Sequence, residues 1–314
     1  MEASKTEPSL TGSWFALTAG LLSAVILSTL AGCCACRRSS IPDLQPAALS
    51  WVQGREGRLR VEDAGRGGLP VLFVHGLGGN RSAWSAQVEH LAARRRVVTF
   101  DLRGHGESAP AQDGDYSVQG FADDVESVAD ALHLKRFVLV GHSIGGAVIG
   151  AYAGRHPDRV AGLLFVDPVG DLTRLPAKDT KAWLSGLEPA HYDAFTEKWF
   201  SEMLAPARPP VRSLVLESLR KTSPSVIRGS VRGLLTYRPE EALACYRGPM
   251  LTVITPENDE PYSLQNLVPG LASREIRGTS HWVMMDEPRV FNGIMDGFLA
   301  SLERGSADAP APQG

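Results

Sequence analysis

Five short apolar runs recur along the chain: VLFVHG (71–76), RVVTFD (96–101), RFVLVGH (136–142), VAGLLFVD (160–167) and MLTVITP (250–256). Runs this short, with no polar alternation, suit strands buried on both faces. Between several of them lie SAWSAQVEHLAAR, VQGFADDVESVADALHL and IGGAVIGAYAGRHP, which suit amphipathic or buried helices. Alternating strand and helix imply a parallel sheet covered on both sides, so the fold class is α/β and doubly wound. The alternation breaks between about Gly170 and Gly248, where AKDTKAWLSGLEPAHYDAFTEKWFSEML and VRSLVLESLRKTSPSVIRGSVRGLL suit helices with no strand between them. The expected organisation is a core of residues 52–169 and 249–303 with a helical lid, residues 170–248, over the carboxyl edge of the sheet. Trp183, Phe195, Trp199, Phe200 and Leu216 of that lid are expected to be packing residues.

The two ends follow other rules. From Trp14 to Gly32 the chain carries no charge, and this run approaches the roughly 20 residues that cross a bilayer core as helix. It closes in LAGC, Leu30 to Cys33, which resembles a bacterial lipobox with Cys33 as the lipidated residue, and that preferred reading puts the domain outside the cytoplasm. Arg37 and Arg38 follow the run while Glu2 and Glu7 precede it, which suits instead an uncleaved anchor with a cytoplasmic domain and acylation at Cys33, Cys34 or Cys36. Either way residues 1–40 are a membrane tether, residues 41–51 a linker, and residues 304–314 a disordered tail. A net charge of -3 and a pI near 6.3 leave no basic excess for nucleic acid. Cys33 and Cys36 have CxxC spacing but no second pair or histidine cluster, so no zinc site and no disulfide framework are expected.

Gly141-His142-Ser143-Ile144-Gly145 follows an apolar strand and opens a helix. A strand that turns straight into a helix holds the central residue in a strained conformation, and flanking glycines let backbone come close. Ser143 is thereby lifted above the sheet at a helix N-terminus, where a nucleophile belongs. A nucleophilic serine needs a base, and the base needs an orienting acid. His281, in GTSHWVMMDEP, is the histidine that follows Asp259, in TPENDEP, and both sit in loops beyond strand ends. Asp259 is expected to be the acid; Asp167, at the end of VAGLLFVD, is the second choice and its plainer role is to cap the turn DPVGD. Asp101 and Arg103 of DLRGHGES are expected to brace a turn.

The stretches HGLGG (75–79), DLRGHGES (101–108), GHSIGG (141–146), NDEP (258–261) and SHW (280–282) resemble the α/β-hydrolase superfamily, in its branch of lidded esterases, haloperoxidase-like enzymes, epoxide hydrolases and dehalogenases. The likeness spans about residues 52–303. It implies that the backbone N–H groups of Leu77 and Ile144 form an oxyanion hole. A serine where related epoxide hydrolases carry aspartate implies acyl transfer: hydrolysis of a carboxylic ester, lipophilic in keeping with the tether, with no cofactor. Carbon–carbon bond, thioester, amide and lactone hydrolysis, or perhydrolysis, on the same residues stay open. So does a non-catalytic, membrane-tethered binding protein of the same fold.

Overall fold

The computed structural model describes residues 47–307 of the chain. Strands β1 (Ala48–Gln53), β2 (Arg58–Ala64) and β3 (Val71–Val74) come first, followed by helix α1 (Ser85–Leu91) and strand β4 (Val97–Phe100). Next are helix α2 (Val118–Ala131), strand β5 (Phe137–His142), helix α3 (Ile144–Arg155) and strand β6 (Val160–Val166). Helices α4 (Ala177–Gly186), α5 (Tyr192–Met203), α6 (Pro209–Lys221), α7 (Pro224–Leu234) and the short α8 (Pro239–Leu243) then follow without a strand. Strand β7 (Met250–Ile254), the single turn α9 (Leu264–Leu267), strand β8 (Ala272–Glu275), the turn α10 (Val283–Asp286) and helix α11 (Pro288–Ala307) complete the domain.

The eight strands form one sheet in the order β1-β2-β4-β3-β5-β6-β7-β8. Only the β1–β2 and β2–β4 pairings are antiparallel; β4, β3, β5, β6, β7 and β8 run parallel. The central strands β3, β4, β5 and β6 are buried at every position because helices cover both faces, and Phe73, Phe100, Phe137 and Phe165 have no solvent exposure at all. Removing each such ring from water stabilises the fold by roughly 1.5–3 kcal/mol.

From β3 the chain crosses to β4 on one side and later to β5 on the other, so β3 and β5 flank the point where the winding direction reverses. Their carboxyl ends lie side by side, with Val74 opposite Gly141 in the register. Loops leave that point in opposite directions and open a crevice between them.

Two elements depart from the sequence expectation. Strand β1 starts at Ala48, inside the stretch expected as linker to Trp51. Its Leu49 and Trp51 point outward on an edge strand, 51% and 42% exposed, while Val52 packs inward, so its apolar residues do not mark a buried face. In β2, RLRVEDA, only Leu59, Val61 and Ala64 are buried, and the charged residues between them conceal a strand that is covered on one side. The expected tether, its Cys33 and the expected tail beyond Ala307 lie outside the described residues. Among the described residues no helix is long and apolar enough to cross a membrane.

The turn-bracing expected of DLRGHGES is present. Asp101 accepts the Arg81 and Glu107 backbone N–H groups at 2.7 and 2.9 Å and the Arg81 guanidinium at 2.6 Å. Arg103 forks onto the buried Asp124 of α2, with Nη2 2.7 Å from Oδ1.

Candidate active site

Ser143 stands where β5 gives way to α3, with φ 54° and ψ -121°, a conformation that L residues rarely adopt. The glycines around it are required by contact. A Cβ on Gly141 would lie 2.3 Å from the Gly145 carbonyl oxygen, and one on Gly145 would lie 2.4 Å from that of Val74. The elbow therefore forms only because bare backbone can pack against bare backbone. Ser143 donates its backbone N–H to Val166 on β6 at 3.0 Å, and its carbonyl accepts from Gly146 at 2.9 Å. Ile144 is the first residue of α3, so its N–H is one of the first-turn donors that have no acceptor within the helix.

The structure brings His281 to Asp167. His281 Nδ1 lies 2.6 Å from Asp167 Oδ2, and since a carboxylate only accepts, Nδ1 carries the proton. Asp167 is 2% exposed and is held from the loop after β7: its Oδ1 accepts from the Thr255 backbone N–H at 2.8 Å and from Asn258 Nδ2 at 3.2 Å.

Asp259 does not meet His281, which corrects the expectation. It is exposed at the end of the 3-10 turn Pro256–Asn258, where Oδ1 accepts from Asn266 Nδ2 at 2.9 Å. That turn points Asn258 inward to support Asp167 and its neighbour Asp259 outward. Asp167, at the end of β6, meets His281 instead, and the loop beyond β7 supplies Asn258 as its support.

Ser143, Asp167 and His281 line one cavity of about 720 Å³ together with Leu77 and Ile144. Across from them the inter-strand helices contribute Trp183, Trp199, Phe200, Met203 and Leu234. Three of the residues expected to be mere packing thus face the cavity, with Trp183 and Trp199 rings 4.9 Å apart. Phe195 stacks behind them, 6.0 Å from Trp199, and Leu216 packs on the core. No lysine or arginine is among the lining residues. A hydroxyl on the same cavity as an imidazole whose Nδ1 is fixed by a carboxylate has the groups that an activated nucleophile needs.

Three further histidines support these loops, all buried. His75 accepts the Leu102 N–H at 3.0 Å and donates to the Gly76 carbonyl at 2.8 Å, and its ring lies 5.2 Å from that of His105. Burial pushes His75 down to about 4 and His105 to about 3, and it holds His142 well below the usual histidine range. All three are neutral when folded and take up protons on unfolding once the pH falls below about 6.5. Asp124, pushed up to about 6 by burial against the pull of Arg103, works in the opposite sense and loses a proton on unfolding between about pH 6 and 4. The three histidines outnumber Asp124, so these groups make stability fall as pH drops below about 6.5. Urea titrations at pH 7, 5.5 and 4.5 will show a matching fall in the unfolding midpoint; a midpoint flat down to pH 4.5 would contradict the neutral assignment.

The alpha/beta hydrolase fold family matches residues 70–235, more than half of the chain. The chain belongs to that family. A (lyso)-N-acylphosphatidylethanolamine lipase of Homo sapiens is 25% identical over 274 residues, which span 74% of this chain and 80% of that one. The dihydrolipoyllysine-residue acetyltransferase component of the acetoin cleaving system of Pseudomonas putida is 44% identical over 110 residues, spanning 35% of this chain and only 29% of its own length. Among solved structures, a thermophilic esterase from Thermogutta terrifontis superposes with a TM-score of 0.68 at 24% identity, over 82% of this chain and 99% of the esterase. The eight-stranded, mostly parallel sheet is thus this family's fold.

Proposed function

We propose that this α/β hydrolase is a serine hydrolase that cleaves a carboxylic ester with a lipophilic acyl part through an acyl-enzyme. The observation that carries this reading is the 2.6 Å contact between His281 Nδ1 and Asp167 Oδ2 on the cavity that Ser143 also lines. With its proton fixed on Nδ1, the imidazole offers the Nε2 lone pair to the Ser143 hydroxyl. Ser143 Oγ then bonds to the ester carbonyl carbon as its proton passes to Nε2. The carbonyl electron pair moves to oxygen, where the Leu77 and Ile144 N–H groups stabilise it; each such fixed donor lowers the barrier by about 3 kcal/mol. The alcohol departs with the proton from Nε2, and water deprotonated by the same nitrogen releases the acid and restores Ser143.

The lining Trp183, Trp199, Phe200, Met203 and Leu234 support an apolar acyl group, with the inter-strand helices acting as its lid. The lipase from Homo sapiens, which acts on a lipid, agrees with this. The charge-free run from Trp14 to Gly32, with Cys33 lipidated, would tether the domain to a membrane on its extracytoplasmic side.

The test combines a fluorophosphonate probe with nitrophenyl esters from acetate to palmitate. Labelling at Ser143, and kcat/KM that rises with chain length, are expected, and the full chain should sediment with membranes while protein lacking residues 1–40 does not. A well-folded protein that neither takes the label nor turns over any ester refutes the catalytic reading. A preference for acetate refutes the lipophilic part alone.

A further inference from the structure

His142 links three parts of the site. It ends β5 directly before Ser143, is 1% exposed, and places Nε2 2.9 Å from the backbone carbonyl oxygen of His281. A carbonyl only accepts, so Nε2 holds the proton and Nδ1 is a bare lone pair, buried and without a partner. A Cβ on Gly76 would sit 2.6 Å from that Nδ1, so the ring is pressed against the loop that carries Leu77. Its centroid is 4.6 Å from the His281 ring and 5.8 Å from the Trp282 ring. The His281 backbone has one other tie, its N–H to the Met203 carbonyl of α5 at 3.3 Å, a longer and weaker bond. Burial, reinforced by the neighbouring His281, keeps His142 neutral, so it holds the carbonyl without adding charge beside the imidazole that must become cationic.

We propose that His142 is a positioning residue: by gripping the His281 carbonyl it sets where the base's Nε2 stands relative to Ser143 Oγ. This rests on the serine-hydrolase reading. The physical ground is that ångström-scale misplacement of a reacting group can cost about 10²-fold in rate even when binding is intact. His142→Phe keeps the ring's shape and deletes the donor. His142→Gln restores a donor at a similar reach.

The experiment measures kcat and KM on nitrophenyl butyrate for the full chain and both variants. The low-field proton resonance of the His281 Nδ1–H and the melting temperature are followed in the same samples. The Phe variant is expected to lose roughly 10²-fold in kcat with KM within about twofold, and to lose or broaden the resonance. The Gln variant is expected to recover most of both. A Phe variant that keeps kcat and the resonance overturns the proposal. So does an equal loss in Phe and Gln, which would make His142 a matter of packing alone. If even the wild type neither turns over esters nor takes a fluorophosphonate, the hydrolase reading fails, and the resonance still decides whether His142 positions His281.

Discussion

Asp167→Asn is expected to lower kcat for ester hydrolysis by about 10⁴-fold, while Asp259→Asn stays within about twofold of the wild type. The first figure follows from the hydrogen bonds around Asp167. Thr255 donates its backbone N–H to Oδ1, so an asparagine there would keep its carbonyl oxygen on Thr255 and turn its NH2 toward His281. An NH2 group can only donate, so Nδ1 of His281 would have to accept and the ring proton would move to Nε2. That nitrogen could then no longer take the proton of Ser143. Asp259 is exposed and bonded to Asn266, so amide replacement there leaves the base untouched. Steady-state kinetics of the two variants at one pH decide the matter. Equal losses, or an active Asp167→Asn, would place the acid elsewhere.

This choice between two aspartates marks where the sequence stops being informative. The order serine, acid, histidine holds for either one, because both follow the elbow and precede His281. Which one His281 meets depends on the loops that the folded sheet brings together, and on a 3-10 turn that bonds Asn258 to Asp167 and leaves Asp259 exposed on Asn266. Both are long-range or fine local facts. Ser143 was legible because its requirement is local: a strained corner between a strand and a helix, with glycine on both flanks. The central strands were legible for a similar reason, since burial on both faces writes itself as an unbroken apolar run. Strand β2 was not, because only one of its faces is buried and its charged residues alternate with the buried ones. His142 gave no signal of its own, as its partner lies 139 residues away and is a carbonyl that every residue possesses. The lining tryptophans could be read as packing or as cavity, and only the placement of α4 and α5 separates the two.

Ser143→Ala is expected to lower kcat by about 10⁶-fold and to abolish fluorophosphonate labelling, with the double variant Ser143→Ala/His281→Ala no slower than the single one. The base acts through the nucleophile, so once the hydroxyl is gone the imidazole has nothing left to activate, and the two losses do not add. The residual rate would come from the oxyanion donors and the cavity. Stability should move the other way at this position. At φ 54° and ψ -121° a side chain is strained, a state that costs about 1–3 kcal/mol and that glycine escapes. Ser143→Gly should therefore raise the unfolding free energy by about 1 kcal/mol, after the extra freedom of glycine in the unfolded chain is subtracted. Kinetics and urea unfolding of the alanine, glycine and double variants test both halves together. Additive losses would detach His281 from Ser143, and a glycine variant less stable than the wild type would mean the elbow carries no strain. If both hold, the chain keeps a serine where glycine would fold better, because only the serine brings a hydroxyl to the imidazole that Asp167 orients.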